Sequence, residues 1–287
     1  MILTPLPPLM IEPAVRAALA EDLGRAGDIT TQATVPAEAK ARVLLNARES
    51  GRVAGLDCAR MAFRLVDPAL KVAVVKGDGS DVEPGDTIAA IEGPARGILT
   101  GERVALNFLG HMSGIATATR EIARAIDGTK AHVCCTRKTT PGLRIFEKYA
   151  VRAGGGMNHR FGLDDAVLIK DNHIAVSGGI AAAIGRAKAA SGHMVKIEVE
   201  VDTLDQLDEA LKAGVDAVLL DNMTPEMLAE AVRRIGGRAI AEASGRITAE
   251  TAPAIAASGV DLISCGWITH SAPCLDIGLD FDELTAS

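Results

Sequence analysis

An α/β barrel short of a strand or two, preceded by a mixed α+β region, is the fold class this sequence predicts. Three observations predict it. From residue 131 onward, short apolar runs alternate with helical patterns six times. Such runs are expected of parallel strands covered on both faces. Polar and glycine residues gather just after those runs, where parallel α/β proteins place ligands. The chain before residue 100 lacks the alternation and carries turn-rich segments between short strands. A doubly wound open sheet is the rival arrangement.

In chain order, 12–24 reads as a short helix ending at Gly24, 40–48 as a strand, 55–66 as a helix, and 71–76 and 87–91 as strands separated by the turn-rich GDGSDVEPGD. A long helical pattern starts at Thr100 and leads toward the second region. The predicted barrel strands are 131–135, 166–170, 195–200, 217–220, 238–243 and 260–264. Helical patterns lie between them near 144–153, 179–190, 204–213, 225–235 and 249–258.

Of the 287 residues 48% are hydrophobic but only 2% aromatic, so a sizeable core must be filled by Ala, Val, Leu and Ile. The net charge of -7 argues against a general nucleic-acid binder, which needs a basic face. Five cysteines, an odd number without a C-x-x-C pair, favour reduced thiols and a cytoplasmic protein. The first residues have no basic region followed by a long apolar stretch, and no window suits a membrane span, so neither a signal peptide nor a membrane partner is expected.

The residues after the apolar runs suggest chemistry. Thr136, Arg137 and Lys138 follow the first run, Lys170 closes the second, and Glu198 and Glu200 lie on the third. Asp221 ends the fourth, Ser244 and Gly245 the fifth, and Gly266 follows the sixth. Residues 136–173 hold seven Lys/Arg against four acids, a cationic island of +3 in a chain whose remainder is -10. Such an island attracts a small anion by its local field. A solvated helix face suits Lys148 and Arg152, but not Arg137 and Lys138, which directly follow AHVCC. Backbone N–H groups near Ser244-Gly245 and Gly266 suit a phosphate, while the Walker and dinucleotide glycine patterns are missing. Glu200 and Asp221 are hard oxygen ligands suited to Mg²⁺ held mainly by a substrate's phosphates. His159, His173 and His270 lack cysteine partners at zinc-ligand spacing.

The run TRKTTPGLR, EKYAVRAGGGMNHR and LIKDNHI, with GDITT (27–31), GERVALNFLGHMSGIAT (101–117), EVEV (198–201), LLDN (219–222), EASG (242–245) and THSAPCLDIGLD (269–280), closely resembles the quinolinate phosphoribosyltransferase family over nearly the whole chain. The resemblance implies an open, incomplete (β/α) barrel of roughly seven strands with an N-terminal α+β sandwich domain. The expected domains are 1–115, joined by the tail 271–287, and the barrel 116–270, which carries the active site. It implies transfer of a phosphoribosyl group from phosphoribosyl pyrophosphate to quinolinate with loss of CO₂, using Mg²⁺, in a homodimer or higher homo-oligomer with shared sites. Arg103, Arg137, Lys138, His159, Arg160 and Lys170 would line the quinolinate pocket. Glu200 and Asp221 would lie by the ribose and its Mg²⁺. Ser244, Gly245, Gly266, Thr269 and His270 would surround the 5′-phosphate, and Thr136 would join the binding set. Lys138, Lys170, Glu200 and Asp221 are the expected catalytic groups. Two positions depart from the family pattern: Cys135, where Asp is usual, and Arg246, where a small residue is usual.

Three alternatives belong to other readings. A molybdenum-operon protein of the same fold would take another substrate. A non-catalytic anion binder would need the cations but not Glu200 and Asp221. A lipoyl- or biotin-type carrier, suggested by GDGSDVEPGDTIAAIEG, lacks a lysine at the hairpin tip.

Overall fold

The structure, a computed structural model, describes residues 3–285, with side chains through 282. The ends of the predicted stretches 1–115 and 271–287 therefore lie outside the described residues. The chain divides into two compact units.

The first unit runs up to Ala118 and includes Arg152–Gly155 and the chain from Ala272 on. It holds α1 (Pro8–Leu23), α2 (Ile29–Thr34), β1 (Lys40–Ala47), β2 (Gly51–Arg52), α3 (Leu56–Val66), β3 (Lys71–Val74), β4 (Asp81–Val82), β5 (Thr87–Pro94) and most of α4 (Ala95–Ala125). Asp28 starts α2 by accepting the N–H of Thr31 at 2.9 Å, an N-cap. In β1 alternate residues Ala41, Val43, Leu45 and Ala47 are buried, the period of two expected of a strand with one face on a core. The long helix α4 starts five residues before the predicted Thr100, since ARGIL continues the same turn pattern.

The second unit, Thr119–Val151 and Gly156–Ser271, is a six-stranded parallel sheet with helices between its strands. Its elements are β6 (His132–Cys134), α5 (Arg144–Ala153), β7 (Val167–Ile169), α6 (Asp171–Ser177), α7 (Ile180–Ala190), β8 (Ile197–Val201), α8 (Leu204–Ala213), β9 (Ala217–Asp221), α9 (Pro225–Ile235), β10 (Ile240–Ser244), α10 (Ala252–Ala257), β11 (Leu262–Ser264) and α11 (Trp267–His270). Clear punctuation sets the helices. Thr203 and Gln206 form a capping box on α8, which ends at the left-handed Gly214, and Pro225 opens α9 after its Thr224 cap. The strand order β6-β11-β10-β9-β8-β7 is the chain order wrapped around, as in a barrel. No ladder joins β6 to β7 among the described residues. A single parallel bridge from Cys134 to Met157 stands on the free side of β6, so the barrel is open and incomplete. Small aliphatic residues fill the core, with Val133, Val199, Val218, Leu220, Ala243 and Ile263 all buried.

The chain then returns to the first unit with β12 (Ile277–Thr285), antiparallel to β1. Sheet order there is β12-β1-β5-β3.

Candidate active site

A pocket of about 390 Å³ opens in the parallel unit. Thr136, Arg137, Lys138, His159, Arg160, Lys170, Glu200, Asp221 and Ser244, all expected from the sequence, line it. Leu168, Leu219, Glu242 and Ser264 line it as well, and the sequence had not marked them. The period of two along each strand explains the set. Lys170, Glu200, Asp221 and Ser244 stand at carboxyl ends. Leu168, Leu219 and Glu242 point the same way two residues earlier on β7, β9 and β10, as does Glu198 on β8.

The first cations come from the loop after β6. Thr136 Oγ1 accepts the N–H of Lys138 at 3.0 Å, and Glu147 accepts that of Thr140 at 3.1 Å. Arg144 ties the loop to its neighbour by donating to Thr139 Oγ1 at 3.0 Å and Phe161 O at 2.8 Å. Arg144 is therefore a brace. Arg160 donates through one terminal nitrogen to Ala166 O at 2.9 Å. The Nε atoms of Arg137 and Arg160 are both buried without a hydrogen-bond partner. Burial, then the charge of Arg137, lowers the pKa of Arg160. Two guanidiniums held this way favour an anionic ligand.

Lys148 corrects the expected solvated helix face: its side chain is fully buried. Its Nζ donates to His159 O at 2.8 Å and to Cys135 Sγ at 3.1 Å, and it lies 4.9 Å from the Phe161 ring centre. Cys135, the first departure from the family pattern, is thus a partner of a buried ammonium and also donates to Asn158 Oδ1 at 3.3 Å. Arg246, the second departure, adopts φ 47°. That left-handed backbone is uncommon for a residue with a side chain.

On the acidic side, Lys170 Nζ pairs with Glu200 Oε2, and Asp221 Oδ2 accepts from Asn222 Nδ2 at 2.6 Å. Glu200 and Asp221 offer hard oxygens to one pocket but too few to cage a metal. Among the described residues the three-residue group close enough to hold an ion is instead His159, Glu198 and Glu242. The carboxylates of Glu200 and Asp221 fit Mg²⁺ carried by a phosphorylated ligand.

His159 Nε2 lies 2.7 Å from Glu198 Oε2 and 3.9 Å from Glu242 Oε1. Burial works against its charged form, but the Glu198 hydrogen bond and the two carboxylates outweigh this and raise its pKa. Glu242 is pushed up to about 8, first by burial and then by the charge of Glu198.

The remaining expected residues fall outside this lining. Gly245 has φ 127°, and a Cβ there would lie 2.5 Å from Asn222 Oδ1, so the turn requires glycine. A Cβ on Gly266 would lie 2.9 Å from Lys138 Cδ. Thr269 is buried, and its hydroxyl is engaged by Lys138 O at 2.7 Å and Gly266 O at 3.0 Å. That hydroxyl braces the loops around Lys138. His270 is exposed, with Nδ1 2.6 Å from Ser271 Oγ. Arg103 lies exposed on α4, within the other unit.

The barrel and its pocket define an α/β protein that binds a small multi-anionic ligand at the carboxyl ends of its strands. The chain belongs to the quinolinate phosphoribosyl transferase family: residues 28–113 match its N-terminal domain and 115–280 its C-terminal domain. It is 46% identical over 260 residues to a probable nicotinate-nucleotide pyrophosphorylase (carboxylating) of Bacillus subtilis (strain 168), covering 91% of this chain and 89% of that protein. It is 45% identical over 271 residues to the nicotinate-nucleotide pyrophosphorylase (carboxylating) of Mycobacterium leprae (strain TN), covering 93% and 95%. The solved structure of the nicotinate-nucleotide pyrophosphorylase from Francisella tularensis superposes with a TM-score of 0.93 at 38% identity, covering 98% of this chain and 99% of that one.

Proposed function

We propose that this chain transfers a phosphoribosyl group from phosphoribosyl pyrophosphate to quinolinate, giving nicotinate mononucleotide, pyrophosphate and CO₂. The observation that carries the reading is the pair Arg137 and Arg160, whose buried Nε atoms have no protein partner in a pocket that also holds Lys138 and Lys170. Quinolinate brings two carboxylates, and guanidinium forks match carboxylates by geometry as well as charge. The matching family's description favours quinolinate over the molybdenum-operon alternative.

In this reading Arg137, Arg160 and Lys138 orient the dicarboxylate so that its ring nitrogen meets the anomeric carbon in line with departing pyrophosphate. Much of the acceleration then comes from positioning. Lys170 balances Glu200 and sets its carboxylate toward the ribose. Bound Mg²⁺, held by phosphate oxygens with Glu200 and Asp221, would neutralise charge on the leaving group. Ser244, Gly245 and Gly266 border the phosphate end through backbone N–H groups, with His270 beside them. Once alkylated, the ring nitrogen is positive and accepts the electrons released as the adjacent carboxylate leaves. The chain works as a homodimer in the cytoplasm, with Arg103 reaching the quinolinate of a neighbouring subunit. None of the described helices is long and apolar enough to cross a membrane.

The test is formation of nicotinate mononucleotide from both substrates with Mg²⁺. Product must vanish when either substrate is left out or the metal is chelated. Turnover unaffected by chelation would remove Glu200 and Asp221 from a metal role, and no product at all would reject the activity.

A further inference from the structure

The helix α5 contributes no residue to the pocket lining, yet three of its side chains grip the two segments that carry Arg137, Lys138, His159 and Arg160 into it. Those segments are 136–140 and 158–161. Backbone pairing joins them at their roots, where the Cys135 N–H donates to Met157 O at 3.2 Å. Beyond the roots α5 takes over. Arg144, Glu147 and Lys148 are three and four residues apart and share one face of the helix. Arg144 donates to Thr139 Oγ1 at 3.0 Å and to Phe161 O at 2.8 Å, one bond to each segment. Glu147 accepts the N–H of Thr140 at 3.1 Å. Lys148 donates to His159 O at 2.8 Å and to Cys135 Sγ at 3.1 Å, with its Nζ 4.9 Å from the Phe161 ring centre. Cys135 extends the tie by donating to Asn158 Oδ1 at 3.3 Å. A charge is costly to bury unless its partners hold it. Lys148 is fully buried, and the groups that hold it belong to the two segments and their roots.

We propose that Lys148, helped by Arg144, is a positioning residue for substrate capture: α5 clamps the two segments together and so sets Arg137 and Arg160 at a fixed spacing before the anion arrives. The atom that Lys148 grips explains the choice. His159 O belongs to the peptide that also carries the Arg160 N–H, and that N–H donates to His159 Nδ1 at 2.7 Å. Both polar ends of one planar peptide are thus held, which fixes where the Arg160 side chain begins. Both segments are cationic and repel one another in the free protein. Binding that first had to gather them would lose affinity to that ordering, and a preset pair avoids the loss. The ligand in this inference rests on the quinolinate reading; the clamp is a property of the free protein.

The experiment has two arms. Hydrogen exchange of the ligand-free protein, read by mass spectrometry, compares the parent with Lys148→Met, which keeps the bulk and loses the donor. Exchange in 158–162 should quicken about 10-fold or more, while peptides from β9 and β10 keep the parent's rate. No change there, or an equal rise across the whole unit, overturns the proposal. Steady-state kinetics then separates the substrates. Lys148→Met should raise KM for quinolinate about 10-fold and leave that for phosphoribosyl pyrophosphate near the parent's. In an Arg160→Ala background the same substitution should lower kcat/KM by less than about 2-fold, because residues that act through one group are not additive. An equal rise in both KM values, or effects that simply multiply, overturns it. If Lys148→Met does not fold, Arg144→Gln, at a half-buried site, takes both measurements; smaller changes in the same direction are expected, and none at all overturns the clamp. Should the parent form no nucleotide from quinolinate, the functional reading fails while the exchange arm still decides the clamp.

Discussion

The rim and the floor of one pocket use the same residue type in opposite ways. Glu200 and Glu198 sit two residues apart on β8 and point into the same space. Glu200, its side chain 16% exposed, stands near the strand end with Lys170, whose side chain is 45% exposed. Glu198 lies deeper, its side chain 9% exposed, against His159 and Glu242. At the rim the carboxylate of Glu200 pairs with Lys170. At the floor burial, with the charge of Glu198, raises the pKa of Glu242.

The largest effects should come from the rim. Glu200→Ala and Asp221→Ala should each lower kcat about 100-fold or more, the scale of removing a group that stabilises transition-state charge, while quinolinate affinity stays near the parent's. Steady-state kinetics paired with calorimetry checks this, and variants that lose quinolinate affinity but keep an unchanged Mg²⁺ dependence would break the division between the two ends of the pocket.

Arg137→Ala should cost about 10- to 150-fold in kcat/KM, since a hydrogen bond to a charged group contributes roughly 1.5–3 kcal/mol. A folded variant with unchanged kcat/KM would take Arg137 out of the binding set.

Buried and open lysines sharpen the comparison in stability. Lys148→Met removes the donor to His159 O and should cost about 1–3 kcal/mol in urea unfolding. Lys170→Met, at the rim, should cost about 1 kcal/mol or less. Equal losses would contradict the contrast in depth.

A further prediction concerns pH. Glu242 titrates near 4.5 when exposed and about 8 in the fold. The folded chain therefore holds a proton that the unfolded chain releases, so this group's contribution is fully present below 4.5 and is lost as pH rises toward 8. Glu242→Gln should flatten the decline in unfolding free energy across that window. Parallel slopes for parent and variant would show that Glu242 is ionised in the fold.

The rim was readable from the sequence because strand-end positions are polar residues breaking apolar runs, as with Lys170 after AVLI. The barrel strands were legible for the same reason, and α5, α8 and α9 fall at 144–153, 204–213 and 225–235 as read from their periodicity. The floor was not legible. Nothing in IEVEV tells which glutamate lies deeper, and Glu242 in IAEAS looks like one more strand residue until the register places it beside Leu219. Lys148 was misread because helix periodicity cannot report that a loop carbonyl and a thiol cover one turn. The short α6 was hidden in KDNH, where His173 Nδ1 accepts the N–H of Lys170 at 3.0 Å and starts a helix instead of a turn. The strand β12 was missed because DIGLDFDELT alternates apolar residues with acids that need partners elsewhere. Asn46 and Arg48 supply them, both reaching Asp280.

One measurement bears most directly on the central claim that this pocket couples phosphoribosyl transfer to loss of a carboxylate. Quinolinate radiolabelled in the carboxylate next to the ring nitrogen is incubated with the protein, Mg²⁺ and phosphoribosyl pyrophosphate, and released CO₂ is trapped. The account predicts labelled CO₂ in step with nicotinate mononucleotide, and none when phosphoribosyl pyrophosphate is left out. Nucleotide formed without labelled CO₂, or CO₂ released without the sugar phosphate, would contradict it.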